Sequence, residues 1–221
     1  MQQTSKLQRP VRFDGEMTSR RILEAAGPLF ARAGFAETSS KAIAEEAGVS
    51  LASINYHFGS RGGLYQATLA EAHRQLISLD ELQAIDTAGL PASGKLARII
   101  DALVGAAYAD SGWPARLLAR EVLAPSSYLP DLMNEEVQPK LAIVLRILGE
   151  VTGLPPGDPA LYRCILSVAA PCLILVVAGN GLPGPAQVVR QMPREELVTH
   201  LCTFALAGLA AVSRQLARER S

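Results

Sequence analysis

Asn55 is the one side-chain amide in the stretch Ser50-Leu51-Ala52-Ser53-Ile54-Asn55-Tyr56-His57-Phe58-Gly59-Ser60-Arg61, where small, apolar and basic residues stand close together. An asparagine amide matches the N6 and N7 edge of adenine, and Leu51 or Ala52 suits contact with a thymine methyl. Each good pair contributes about 1 to 3 kcal/mol of discrimination between bases. Together with Ser53 these residues read duplex DNA if they sit at the start of a helix in the major groove. No Gly-x-Ser-x-Gly, metal-ligand cluster or carboxylate constellation accompanies them, so no catalytic residue, metal site or cofactor is expected.

Positioning that set takes two short helices around a tight turn, and the residues before it supply them. Gly48 can adopt positive φ without a Cβ penalty and so turn the chain sharply. Ala44 and Ala47 are small enough for close helix approach, while Ile43, Val49 and Ile54 fall where such a unit buries apolar side chains. Ser50 stands where it caps the second helix, and Ser39 or Ser40 where it caps the first. The pattern reads as a helix-turn-helix; taken alone, a plain pair of antiparallel helices has the same glycine stop.

The flanking residues add to this. Ile22, Leu23, Ala25, Ala26, Leu29 and Phe30 form a first-helix pattern closed by Gly34-Phe35. Thr38-Ser39, Ile43-Ala44, Ala47-Gly48-Val49-Ser50, Tyr56-His57-Phe58-Gly59-Ser60-Arg61 and Leu64-Tyr65 follow in order. From Thr18 to Tyr65 the chain resembles the DNA-binding domain of the TetR family of bacterial regulators. That resemblance implies phosphate contacts from Ser40, Lys41 and Arg61, and backbone contacts from Tyr56 and His57. For Tyr56, closing the domain core with Phe58 is an equal reading. The chain departs from the family at Asn55, where an aromatic residue is commoner, which implies a different base preference. It departs again at Arg61-Gly62-Gly63, where two glycines in a first helical turn cost about 0.5 to 1 kcal/mol each and imply a fraying start.

The 221 residues suit a small DNA-binding domain plus a larger helical one. A formal net charge of zero and a pI near 6.8 exclude the overall basic signature of a non-specific nucleic-acid binder, so affinity has to come from local placement. Cys164, Cys172 and Cys202 are odd in number, widely spaced and set among apolar residues, which argues for buried thiols in a reducing cytoplasm rather than disulfides, with redox sensing the alternative. His200 and Cys202, two apart on a helix, point different ways and make no metal site. Residues 1–15 carry Lys6, Arg9 and Arg12 without an apolar core. They are expected to form a flexible arm, uninvolved or reaching along a minor groove, and no signal peptide.

Beyond about Gln75, Gly- and Pro-rich breaks separate stretches of helical period, predicting helices over 95–109, 115–123, 129–151, 159–178 and 193–218. The uncharged run from Cys164 to Gly179 is too short to span a membrane, is interrupted by Pro171, and equally describes a helix covered on both sides. Gly179-x-Gly181-x-x-Gly184 matches a dinucleotide-binding fingerprint literally, yet Pro185 and one long helical pattern follow instead of a parallel sheet, so an NAD-binding reading is disfavoured.

The segment Leu118-Ala-Arg120-Glu121-Val-Leu-Ala-Pro125-Ser126 with Val137-Gln-Pro139 resembles one recurring C-terminal domain type of the same family. This implies an apolar small-molecule cavity, with Tyr108, Trp113, Arg116, Leu117, Arg120, Tyr128, Leu129 and Met133 as candidates. An Arg120–Glu121 salt bridge and a Trp113-Pro114 staple are the alternatives. It also implies a homodimer through four helices, with Leu161, Ile165, Val168 and Cys172 on one helix and Leu197, Leu201, Phe204, Ala205, Gly208 and Val212 on the other. The expected fold is therefore all-α: an arm (1–15), a three-helix helix-turn-helix domain (16–65) and a helical ligand-binding and dimerisation domain (66–221). The expected function is a cytoplasmic regulator, a repressor that binds a pseudo-palindromic operator as a dimer and is released by a small apolar effector. A membrane-associated interaction protein is the other rival.

Overall fold

The computed structural model describes residues 10–109, 112–178 and 184–219, and among these residues the secondary structure is helical, without a strand. The order is α1 (Pro10–Glu37), α2 (Ser40–Ala47), α3 (Leu51–Phe58), α4 (Arg61–Arg74), α5 (Leu79–Thr87), α6 (Ala92–Tyr108), α7 (Trp113–Leu123) and α8 (Leu129–Leu132). A π-turn over Met133–Val137 joins α8 to α9 (Gln138–Thr152), and α10 (Pro159–Ala178), α11 (Pro185–Arg190) and α12 (Arg194–Glu219) complete the chain.

Serines begin the first short helices. Ser39 Oγ accepts from the Ala42 N–H and Ser50 Oγ from the Ser53 N–H, both at 3.1 Å, so each helix start has an acceptor for an orphan amide. Gly48, at φ 61 and ψ 39, is left-handed, and its N–H returns to the α2 carbonyls of Ala44 and Glu45. Arg21 of α1 donates to the Ala47 carbonyl at 2.7 Å and so closes the same helix end. Ile43 and Ile54 are wholly buried between these helices, and Val49 is half-buried.

Three expectations are corrected. Pro10–Gly15 belong to α1 rather than to an arm; residues 1–9, with Lys6 and Arg9, lie outside the described residues. The helix expected over 129–151 is interrupted by the π-turn, which ends two residues before Pro139, a residue with no N–H to give and whose ring crowds the carbonyl one turn earlier. Helices α5 and α11 were not anticipated, being short and weakly patterned, although Ser78 with Glu81 three residues on is a capping pattern, and Ser78 Oγ accepts the Glu81 N–H.

The buried residues form two clusters. One joins α5, α6, α9, α10 and α12 around Leu96, Ile100, Val104, Ile147, Leu148 and Cys172. The other joins α1 to α4 around Ile22, Phe30, Ile43, Ile54, Leu64 and Leu69, and it takes in Leu117 of α7 and Leu132 of α8. Helix α7 is thus shared: it packs on α1 and α4 as well as on α10. Gly27 of α1 faces the Trp113 ring so closely that an added Cβ would collide with it. Gly34 breaks α1 at φ 82, and a Cβ there would meet the Arg120 guanidinium within 3 Å.

Candidate nucleic-acid interface and ligand cavity

Helix α3 buries one side and presents the other. Ile54 is inside, whereas Leu51, Ala52, Asn55 and Tyr56 are exposed and Ser53 is half-buried. Leu51, Ala52 and Asn55 therefore share an open face at the start of a capped helix, the arrangement that suits base edges. Tyr56 is 85% exposed, which separates it from the core, while half-buried Phe58 packs against the buried cluster. His57 is half-buried, its ring edge-on to Tyr56 at 5.1 Å, with Gly15 of α1 beside it. Lys41 is exposed next to Ser40 in the first turn of α2, with Glu45 at 3.9 Å as a solvated neighbour.

Arg61 has partners within the chain. Its Nη1 donates to the Thr38 carbonyl at 3.1 Å, and its guanidinium lies 4.3 Å from the Phe35 ring centroid. The arginine is thus a tie between α4 and the α1–α2 turn. The α4 start is capped: Ser60 Oγ accepts the Gly63 N–H at 3.0 Å. Its two glycines have a packing reason, because a Cβ at Gly62 would strike the Tyr128 hydroxyl and one at Gly63 the Phe58 carbonyl.

A cavity of about 420 Å³ lies between α4, α7, α8 with its π-turn, and α10, walled by Leu118, Leu129, Leu132, Met133, Leu173 and Val176 among other apolar side chains. Of the expected ligand residues, Leu129 and Met133 line it. Tyr108, Trp113, Arg116, Leu117, Arg120 and Tyr128 do not, for identifiable reasons. Trp113 and Tyr128 pack on the N-terminal cluster and Leu117 is buried in it. Arg120 donates to the Ala33 carbonyl at 3.2 Å, and Tyr108 to the Met192 carbonyl at 3.0 Å. Arg116 lies next to Gly112 at the start of its own helix. The Arg120–Glu121 salt bridge is also absent, since the two side chains have separate partners.

The polar residues of the wall are Glu121 and His73, neither of which sequence reasoning placed there. Glu121 is 1% exposed and accepts from the Tyr65 hydroxyl at 2.7 Å, the Ser126 N–H at 2.9 Å and the Ser126 hydroxyl at 2.6 Å. A buried carboxylate needs such donors. Burial, and then the bond to Glu121, hold the Tyr65 phenol far above its ordinary range, so it remains a donor. His73 Nδ1 lies 2.8 Å from Nζ of the buried Lys140, which also pairs with Glu136 at 3.4 Å. Burial first and the Lys140 charge second push His73 down to about 4. Burial likewise lowers Lys140, with Glu136 opposing.

The apolar helices α10 and α12 divide differently from the expectation. Leu161, Cys172 and Leu197 point into the chain's own core, and Ile165, Val168, Leu201, Ala205 and Val212 are half-buried against it. The outward residues are Tyr162, Leu166 and Ile174 on α10, none of them expected there, and Phe204 and Gly208 on α12, both of which were. Both helices are long and apolar enough, by length and composition alone, to cross a membrane. Burial raises all three thiols, Cys172 to about 11, which disfavours the reactive thiolate. The expected fingerprint residues Gly179 and Gly181 lie outside the described residues.

Comparison with known proteins agrees with this geometry. Residues 22–68 match the bacterial regulatory proteins of the tetR family, and residues 92–209 match the C-terminal domain of the HTH-type transcriptional dual regulator CecR. A Bacillus subtilis (strain 168) relative, the "Probable HTH-type transcriptional regulator YttP", is 26% identical over 133 residues, 60% of this chain and 64% of that protein, so the chain spans less than two thirds of that relative's length. Among solved structures, one from Pseudomonas aeruginosa PAO1 shares the fold at TM-score 0.71 and 22% identity, covering 93% of this chain and 98% of the other. The transcriptional regulator FadR from Bacillus subtilis, solved with stearoyl-CoA, shares it at TM-score 0.62 and 17% identity, covering 86% and 98%. With a capped helix-turn-helix at one end and a C-terminal match that spans more than half its length, the chain belongs to the TetR family of bacterial regulatory proteins.

Proposed function

We propose that the protein is a ligand-responsive transcriptional repressor that binds a pseudo-palindromic operator as a homodimer and is released by a small apolar effector. The observation that carries this reading is the double duty of Glu121: it forms part of the cavity wall and it holds Tyr65 of α4, the helix that follows the recognition helix. An occupant that displaces Glu121 acts on the DNA-binding unit without touching it.

The outward stripe of Tyr162, Leu166, Ile174, Phe204 and Gly208 supports a two-fold interface with the same helices of a second copy. In such a dimer the α3 helices enter successive major grooves about 34 to 36 Å apart. Asn55 reads a base while Lys41 and Ser40 hold phosphates. A ligand favouring another separation drains the DNA-competent population. A coupling of about 1 to 3 kcal/mol weakens operator binding roughly 5 to 150-fold. The stearoyl-CoA bound to FadR supports an apolar effector in this fold. Action on DNA in a bacterial cell implies a cytoplasmic location.

The test is titration of purified protein against duplexes carrying the palindromes upstream of its own gene, at several salt concentrations, with Asn55→Ala and Lys41→Ala alongside. Saturable binding is expected, with relaxed base preference for Asn55→Ala and a shallower salt slope for Lys41→Ala. Binding indistinguishable from that to random duplex, in every salt, overturns the reading.

A further inference from the structure

Gln138 marks an irregularity in the helical run from α8 into α9: its N–H bonds to the Met133 carbonyl, five residues back, where an α-turn would use Asn134. Pro139 follows. It has no N–H, so the α register has one hydrogen bond fewer to gain here, and in that register its ring crowds the Glu135 carbonyl. The proline thus tips a nearly balanced choice toward the wider π-turn.

The two sides of this turn hold α4 at different places. On the α8 side, the Tyr128 hydroxyl stands against Gly62 and Asp131 Oδ2 accepts from Gln66 Nε2 at 3.3 Å, both within the first two turns of α4. On the α9 side, Glu136 Oε1 accepts from Arg74 Nε at 3.0 Å and Nζ of Lys140 lies 2.8 Å from His73 Nδ1, both in the last turn of α4. Leu129 and Leu132 of α8, with Met133 and Val137 of the turn, also form the cavity wall.

We propose that the π-turn is a two-register joint: an apolar occupant of the cavity tightens it to an α-turn, turning α8 against α9 and shifting the start of α4, next to the recognition helix, while the end of α4 stays anchored. This step rests on the effector reading above and adds how an occupant reaches α4. One residue of register amounts to about 100° and 1.5 Å in an α-helix. Tightening the turn draws Met133 and Val137 back from the cavity, so an occupant selects the α register by the room it gains there. The exposed Gln66–Asp131 contact gives way more readily than Glu136, which both Arg74 and the buried Lys140 hold.

Through-hydrogen-bond nitrogen–carbon coupling reads the register directly in the full-length protein, because the Gln138 amide couples to the Met133 carbonyl in the π-turn and to that of Asn134 in an α-turn. Naphthalene serves as the apolar probe, its binding followed by calorimetric titration. With naphthalene bound, the coupling is expected to move from Met133 to Asn134, and amide exchange to rise from Gly62 to Gln66 but not at His73 and Arg74. Pro139→Ala, which restores the N–H and removes the ring, is expected to move the coupling the same way without any ligand. A coupling that stays on Met133 when naphthalene is bound or in Pro139→Ala, or exchange that rises equally along α4, overturns the joint. Failure of naphthalene to bind overturns the cavity as an apolar binding site instead, and the proline variant then still decides whether the joint exists.

Discussion

The recognition motif and the junction behind it are held together in opposite ways. In α2 and α3 the helix starts are fixed by polar contacts between residues three apart, Ser39 to Ala42 and Ser50 to Ser53, with one glycine between the helices and Arg21 of α1 as the distant contact at the end of α2. Where α1 and α4 meet α7 and α9 the partners are far apart in sequence: Tyr65 with Glu121, Ala33 with Arg120, and His73 with Lys140. Contacts of the first kind form with the helix itself. Contacts of the second kind exist only when both units are folded and docked, so they report the state of one to the other.

The sharpest way to break this contrast is Glu121→Ala, which orphans the Tyr65 hydroxyl and two Ser126 donors in a buried place. A loss of about 3 kcal/mol in urea unfolding is expected, against about 1 kcal/mol for Glu121→Gln, which keeps the shape and an acceptor. Equal, small losses would mean that the junction contributes no more than a surface contact.

The second prediction concerns acid. His73 has a folded pKa near 4, below its ordinary 6.5, so between these values the unfolded chain binds a proton that the folded chain refuses. The contribution is complete above pH 6.5 and is lost as pH falls toward 4, amounting to at most about 3 kcal/mol. In unfolding measured across that range, His73→Phe is expected to flatten the stability slope relative to the parent protein. An unchanged slope would place the titration on other groups.

Gly62→Ala sharpens the comparison from the side of packing. Helix propensity alone favours alanine by up to about 1 kcal/mol, but the Tyr128 hydroxyl occupies the space. A net destabilisation of about 1 to 2 kcal/mol is expected from thermal melting, and a gain in stability would show that Tyr128 moves aside freely. The smallest effect belongs to the local motif. Ser50→Ala removes the α3 cap and is expected to cost about 1 kcal/mol, read in the same melts. Its effect should add to that of Glu121→Ala if the two regions are independent, and a double mutant outside about 0.5 kcal/mol of the sum would deny the separation.

Legibility in the sequence follows the same division. Gly48 and Ser50 declared their roles because turns and caps are written within a few residues, the first cap was narrowed to Ser39 or Ser40, and Ile43 and Ile54 were legible because a short amphipathic helix has one way to lie. The sequence did not show that Arg61 also ties α4 to the α1–α2 turn, because its type suits a phosphate equally well as a carbonyl and an aromatic face, and Thr38 and Phe35 approach it only in the folded chain. The Arg120-Glu121 pair was visible as a motif, but neighbours on a helix point apart, and their partners lie on α1 and α4.

By itself, then, the sequence determined an all-helical chain, the place and capping of its helix-turn-helix, and a C-terminal half rich in apolar helices. Tertiary structure decided the phase of those helices. On α10, apolar almost all round, periodicity carries no direction, so whether Leu161 or Tyr162, Cys172 or Leu173 faces the core depends on where α6 and α9 pack. It also decided the cavity, because His73, Glu121 and Met133 are brought together by helices whose local patterns make no reference to one another.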